Sequence, residues 1–521
     1  MKKLIIIVMS ALFVFGMESC SDWLDLRPES ETVLEDYWQT ESQATAVLAG
    51  CYRGLIRPQC MERMMVWGEL RSDNIMMGDF ILTDMKKILD VNITPTNPYA
   101  DWGSFYSVIN YCNTFLHYAP SVVNKDQNFT ATKLHTLEAE ALTIRALCYF
   151  YLVRTFRDVP LITTPSISDA DNFYVGKSTE REVLDQIIKD LITAQQYAKS
   201  NYGTEAFNKG RVTLSAVNSL LADVYLWDQQ YANCISACDR VLADKTLELV
   251  RGDKMLTDVF YTGNSTESIF ELQFDKNTQY NDWVSNLYGV GGAQNGQWSY
   301  AYYLGPKGNY SPFNYQPTVL KESEKDIRES NFIGTTTNGA GYNIYKYALY
   351  QYVENSSNGT AIPVYRTPST TANWILYRMS DVMLMKAEAL VQLDRSDDDL
   401  NEAINLVNTT YLRSNLAADS LKLNNYPDKG AMQELVLRER QRELLFEGKR
   451  WFDLMRVARR NNDATAIMKY ISPKLTGDNM QIKKMSIMDA LYMPVLQSQI
   501  EINPKLVQNP FYEEDNLTTT N

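Results

Sequence analysis

The chain has 521 residues, a formal net charge of −13 and 45% hydrophobic residues, enough apolar material to bury a large core. The acidic balance repels a phosphate backbone and no Lys/Arg-rich run offsets it locally, which argues against a nucleic-acid partner. Only two histidines occur, His117 and His135, and both sit in helical stretches, so a His-based zinc site or a Ser-His-Asp triad has little to draw on and no cofactor is expected. The seven cysteines include no CxxC pair; Cys234 and Cys238, one helical turn apart, read as small buried apolar residues.

Lys2 and Lys3 precede an apolar run from Leu4 to Phe15, and Gly16-Met17-Glu18-Ser19 breaks that run just before Cys20. This is the layout of an export signal. The run is shorter than the ~20 residues that a membrane-spanning helix needs, and no later segment is long and apolar enough to substitute. A small residue before a cysteine at the end of such a run resembles the bacterial lipoprotein signal, although Met17 and Glu18 depart from its commonest form. The resemblance implies a lipid on Cys20 that anchors an otherwise soluble chain. Three regions are expected: 1–19 as the signal, 20–260 as a helical N-terminal part, and 261–521 as a C-terminal part with aromatic loops.

Beyond the signal, helical periodicity dominates. A long amphipathic helix is predicted from Glu138 through Val153, ending near Asp158-Val159-Pro160, where proline stops it. Further helices are predicted over Thr179–Ala198, Val212–Trp227, Tyr231–Ala243, Trp374–Leu393 and Leu400–Leu412. Segments starting at Ala146, Ala222 and Ala387 share small residues where helices cross and large ones beside them. Each is followed by a short polar turn and a second helix. That is the tetratricopeptide pattern, in which a helical hairpin buries its apolar face only by stacking on its neighbours. The fold class expected is therefore mainly α: tetratricopeptide-like hairpins forming a scaffold for an irregular, loop-rich part with a few short strands.

Between Phe260 and Asn373 the character changes. Ser268 to Phe274 alternates like a strand, and the stretch after it is rich in Gly, Asn and Tyr without a helical period. Tyr280, Trp283, Trp298 and Tyr300 fall here, interleaved with amides such as Asn295. Sugar rings have apolar C–H faces edged by hydroxyls, so flat aromatic platforms beside amides suit a glycan site. The run Asp394 to Asp399 lacks the glycine and ligand alternation of a calcium loop and reads as a solvated turn between two helices.

The most specific segment runs from Leu435 to Arg456. It reads as one amphipathic helix, with Leu437, Leu444, Trp451 and Ala458 recurring at seven and Gly448 letting another element approach. Glu439, Glu443 and Glu447 stand at successive turns, but Arg440, Arg442 and Arg450 are placed to neutralise them, so a structural ion-pair network is expected in preference to acid/base catalysis. Glu439, Glu443, Phe446, Glu447, Gly448, Arg450, Trp451, Asp453, Leu454 and Arg456 together resemble the signature of the SusD/RagB family of outer-membrane nutrient-binding lipoproteins. The resemblance extends to Asp22-Trp23-Leu24-Asp25 after Cys20, the Arg145-Ala146 helix, the Phe270-to-Phe274 strand and Tyr492-Met493-Pro494-Val495.

The resemblance implies a non-catalytic, surface-exposed outer-membrane lipoprotein that binds a glycan and delivers it to a SusC-like TonB-dependent transporter. By similarity, Asn295-Gly296-Gln297-Trp298-Ser299 carries one aromatic platform and Tyr280 or Trp283 a second. Arg71, Asp73 and Asn74, just after Trp67, are implied to bond sugar hydroxyls; the aromatic expected shortly after them is replaced by Met76 and Met77. Two rival readings are peptide capture, as in some RagB-like proteins, and glycoside hydrolysis, which would need two carboxylates about 5–10 Å apart across a cleft.

Overall fold

The computed structural model describes residues 34–78, 80–167, 173–291, 294–301, 311–313, 326–335, 342–354, 359, 361–367, 369–475 and 479–513. The α-helices of eight residues or more are α1 (Glu41–Leu55), α2 (Pro58–Met65), α3 (Gly103–Val122), α4 (Ala131–Phe156), α5 (Glu180–Tyr197), α6 (Leu214–Trp227), α7 (Tyr231–Leu242), α8 (Met379–Leu393), α9 (Asp397–Ser414), α10 (Lys429–Glu443) and α11 (Arg450–Asn461). Their starts are written in the sequence. Thr40 and Thr179 each close a capping box, with Gln43 and Glu182 respectively, satisfying backbone N–H groups that the first turn leaves open. Ser396, not a carboxylate, caps α9, while Asp397, Asp398 and Asp399 fill its first turn, where the helix dipole favours negative charge.

The predicted hairpins form. α4 packs on α5, α6 on α7 and α8 on α9. The α6–α7 and α8–α9 hairpins also stack through α7 and α8, although well over a hundred residues separate them in the chain; Cys234 and Cys238 lie fully buried on α7. Insertions thus interrupt the sequence of the repeats without interrupting their packing.

Ten short strands make five two-stranded antiparallel ladders among the described residues. β1 (Ile75–Met77) pairs with β5 (Trp298–Tyr300), β2 (Ser268–Leu272) with β10 (Trp374–Arg378), and β3 (Gly289–Gly291) with β4 (Gln294–Asn295). The remaining ladders join β6 (Ile333–Thr335) to β7 (Tyr342–Ile344), and β8 (Leu349–Glu354) to β9 (Ala361–Tyr365).

Two sequence expectations are corrected. The segment Trp374–Leu393 is not one helix: its first five residues form β10, buried along its whole length against β2, and the helix begins only at Met379. Bulky aromatic and branched side chains fit a fully buried strand, and a short apolar run does not distinguish the two periods. The Leu437–Ala458 segment is likewise broken, between Glu443 and Arg450, where Phe446 (φ 66°) and Gly448 (φ 70°) adopt left-handed backbone.

One continuous hydrophobic core runs from Trp38 to Tyr512, so the change in sequence character near residue 260 is not a gap between two cores. A smaller cluster under α8, α9 and α10 includes Leu384, Val407 and Met432.

Candidate functional site

The register of β5 decides the fate of two candidate platforms. Successive strand residues face opposite ways, so Trp298 and Tyr300 share a face, and that face points inward. Trp298 is 2% exposed, its indole N–H directed at Met85 Sδ at 3.4 Å and its ring 5.8 Å from that of Tyr288. Tyr300 meets Phe446 edge-on at 5.8 Å. Neither is a displayed platform, which corrects the sequence expectation for both.

Arg71, Asp73 and Asn74 are corrected in the same way. The Arg71 guanidinium lies 4.5 Å from the Trp451 ring and donates to the carbonyls of Ala490 and Leu491, each at 2.6 Å. Asp73 accepts two hydrogen bonds from Arg450, both at 2.8 Å, and Asn74 donates to Glu69 Oε1 at 2.8 Å. All three are buried. A buried guanidinium or carboxylate must find partners within the fold, and here it binds the N-terminal turn to the signature segment. Cys20 lies outside the described residues, as does the side chain of Asn295.

Tyr280 and Trp283 keep the accessibility expected of ligand-facing aromatics. Tyr280 is 53% exposed, and Trp283 is half-buried on the short helix Asp282–Tyr288, which Asn281 caps. The sequence reading missed Phe80, which is 70% exposed just beyond β1, with Met77 and Leu82 exposed beside it. It lies a few residues beyond Met76 and Met77, where an aromatic was expected, and follows Gly78-Asp79 in an otherwise apolar run.

Backbone hydrogen bonds fasten these segments into one rim. Gly78 N donates to Gln297 O at 2.8 Å, and Gln297 N donates to Asn286 O at 3.0 Å. The approach is close enough that a Cβ on Gly296 would fall 2.2 Å from the Leu287 carbonyl. At this junction Trp283 Nε1 and Gln297 Oε1 are shielded from solvent and have no hydrogen-bond partner. A shielded donor and acceptor left unpaired cost free energy.

The signature glutamates are ion-paired, but mostly not with the arginines beside them in sequence: among the described residues only Arg442 joins one, Glu439 at 2.9 Å, while Arg440 turns to Asp381 and Asp453 and Arg450 to Asp73. Glu443 contacts Arg328 at 2.9 Å, Arg378 at 2.5 Å and also Arg413; Glu447 contacts Lys346 at 2.6 Å and Arg378 at 2.7 Å. Burial alone would favour their protonated forms, but the surrounding cations outweigh it and hold both carboxyls below the usual range. Groups so paired are poor general acids. Glu69 is the converse case: burial pushes its carboxyl up to about 7, yet it sits inside the core, accepting hydrogen bonds from Asn74 and Gly448 N.

A helical-hairpin scaffold that displays irregular aromatic loops defines a SusD-type fold. A solved SusD homologue from Bacteroides thetaiotaomicron superimposes with a TM-score of 0.73 at 20% identity, covering 92% of this chain and 99% of its own. The family model described as "SusD family" matches residues 309–512, and the one described as "Starch-binding associating with outer membrane" matches 22–226. "SusD-like protein P38" of Formosa agariphila is 28% identical over 543 aligned positions, covering 95% of this chain and 96% of that protein. "SusD-like protein P2" of the same organism is 25% identical, covering 86% and 89%. The chain belongs to the SusD/RagB family. Among the described residues no helix is long and apolar enough to cross a membrane.

Proposed function

We propose that the protein captures a glycan without cleaving it, held at the outer membrane by a lipid on Cys20, and presents it to a SusC-like TonB-dependent transporter. The observation that carries this reading is the aromatic surface at this junction: Phe80 and Tyr280 are exposed and Trp283 half-buried, and backbone bonds from Gly78 to Gln297 and from Gln297 to Asn286 tie their segments together. Apolar rings suit the C–H faces of sugar residues. Family membership supports the same class of ligand. The signature carboxylates, being buried and ion-paired, favour binding over hydrolysis.

Isothermal titration against a polysaccharide panel, with a peptide pool as the second arm, tests the ligand class. Saturable binding to a polysaccharide and none to peptides is expected, with the polymer recovered uncleaved. Peptide binding alone would overturn the reading. Cys20→Ala should move the protein from the membrane fraction to the soluble one in a strain lacking the transporter; retention in the membrane would discard the anchor.

A further inference from the structure

Away from the rim, the residues around 200, the short helix Glu205–Gly210, the start of α6 and the turn after α7 enclose a cavity of about 50 Å³. At roughly 10–15 Å³ for each water, that is room for several waters or for part of a small polar ligand. Lys209 lines it. This lysine is only 4% exposed, yet its ammonium makes no hydrogen bond within the described residues; the nearest carboxylate oxygen, Glu205 Oε2, is 3.9 Å away. A buried ammonium without such bonds is costly.

The other lining groups show what is missing. Asn201 and Asn208 commit their amide oxygens to the N–H groups of Gly203 and Tyr202, both at 2.6 Å, which leaves their NH₂ groups to donate. Asp244 is already satisfied, accepting from the Ser215 hydroxyl at 2.6 Å and the Thr246 hydroxyl at 2.7 Å. Glu205 is exposed and retains accepting capacity. Burial lowers the lysine's proton affinity, and Glu205, Glu271 and Asp244 act against that effect. With three carboxylates around one ammonium, an anion is repelled, and a cation meets Lys209. A neutral ligand bearing adjacent hydroxyls satisfies both groups: one oxygen accepts from Lys209 while its neighbour donates to Glu205. Leu247 and Ile269 supply apolar surface for its C–H groups.

We propose that this cavity is a second carbohydrate site, which takes a vicinal diol of a single sugar residue between Lys209 and Glu205. It shares no residue with the rim, so it rests on the glycan-binding reading only for its biological sense. Saturation-transfer NMR of the full chain tests it, with methyl glucoside, methyl galactoside and glycerol as probes and 1,3-propanediol and acetate as controls. Saturable contact with at least one of the vicinal diols and none with the controls is expected. Lys209→Met should weaken that contact by about tenfold or more, the scale of losing a hydrogen bond to a charged group. Glu205→Gln, a change at an exposed side chain, should weaken it in the same direction, and both losses should persist in a Phe80→Ala/Tyr280→Ala background, where any contact made by the rim is removed. Contact indifferent to both cavity variants, or preference for acetate, would overturn the second site. Loss of contact only in the rim variant would also overturn it, while leaving the glycan reading in place.

Discussion

Phe80, just beyond β1, and Trp298, on its partner strand β5, have exposures of 70% and 2%, which give them opposite duties. Phe80→Ala removes a ring that supports nothing beneath it, so melting temperature should stay within error. Polysaccharide affinity should fall about thirtyfold, the equivalent of a ~2 kcal/mol hot spot. Trp298→Ala should instead cost about 3–5 kcal/mol of stability through the cavity it leaves, read as a lower denaturant midpoint. If Trp298→Ala kept full stability and lost binding, the assignments would have to be exchanged. The sequence showed which residues were aromatic and that they clustered, but which of them face outward depends on strand register. A slip of one residue reverses every side chain, and nothing local to Gln297-Trp298-Ser299 specifies the pairing with Ile75–Met77.

At the scale of elements, the break between α10 and α11 is made by glycine on two fronts. A Cβ on Gly68 would lie 1.7 Å from the Gly448 carbonyl oxygen, while Gly448 itself holds φ 70°. Gly448→Ala should destabilise by about 1–2 kcal/mol, the cost of left-handed backbone in a residue with a Cβ. Gly68→Ala should be worse, because the atom it meets is backbone and cannot swing aside; urea midpoints of the two variants give the ranking. The seven-residue spacing of Leu437, Leu444, Trp451 and Ala458 had suggested an unbroken helix because all four are buried in the structure. Periodicity reports burial, and burial continues across the turn. Gly448 was legible as a site of close approach, whereas the left-handed Phe446 was not, because its conformation is imposed by tertiary contacts such as the Tyr288 hydroxyl donating to its carbonyl at 2.7 Å.

Across the whole molecule, buried ion pairs set the response to acid. Burial would raise the carboxyls of Asp381 and Glu434, but their cationic neighbours, chiefly Lys449 and Arg440 for the first and Arg438 for the second, hold both at about 2. A carboxyl depressed in the folded state contributes stability that is fully present above its unfolded value near 4 and is lost as pH falls through its folded value. Melting temperature should therefore fall steeply between about pH 4 and pH 2. Glu69, raised to about 7, has the opposite sign: its contribution declines as pH rises from about 4 to 7. A thermal scan from pH 2 to pH 8 should show an acid limb and a shallow decline toward neutrality; an acid limb beginning at pH 6 would contradict the network. The helical scaffold was readable because each hairpin carries its own period and caps. The irregular region was less so, because the ladders that tie it to the rest, β1 with β5 and β2 with β10, join partners far apart in sequence.

The bonds from Arg71 to the Leu491 and Ala490 carbonyls span 420 and 419 positions along the chain. The guanidinium therefore finds its acceptors only when a segment far along the chain docks, and Asp73 likewise waits for Arg450. Until the segment around Ala490 and Leu491 docks, the turn after α2 carries charges that cannot be buried, and the core around it stays open. A chain stopped before residue 480 should accumulate as a protease-sensitive, partly helical species even though α1 to α11 are all encoded. Supplying 480–513 as a separate peptide should restore protection. Closure of the core around the turn after α2 therefore depends on a segment remote from it in the chain, and loss of that segment should leave the helical scaffold formed but open.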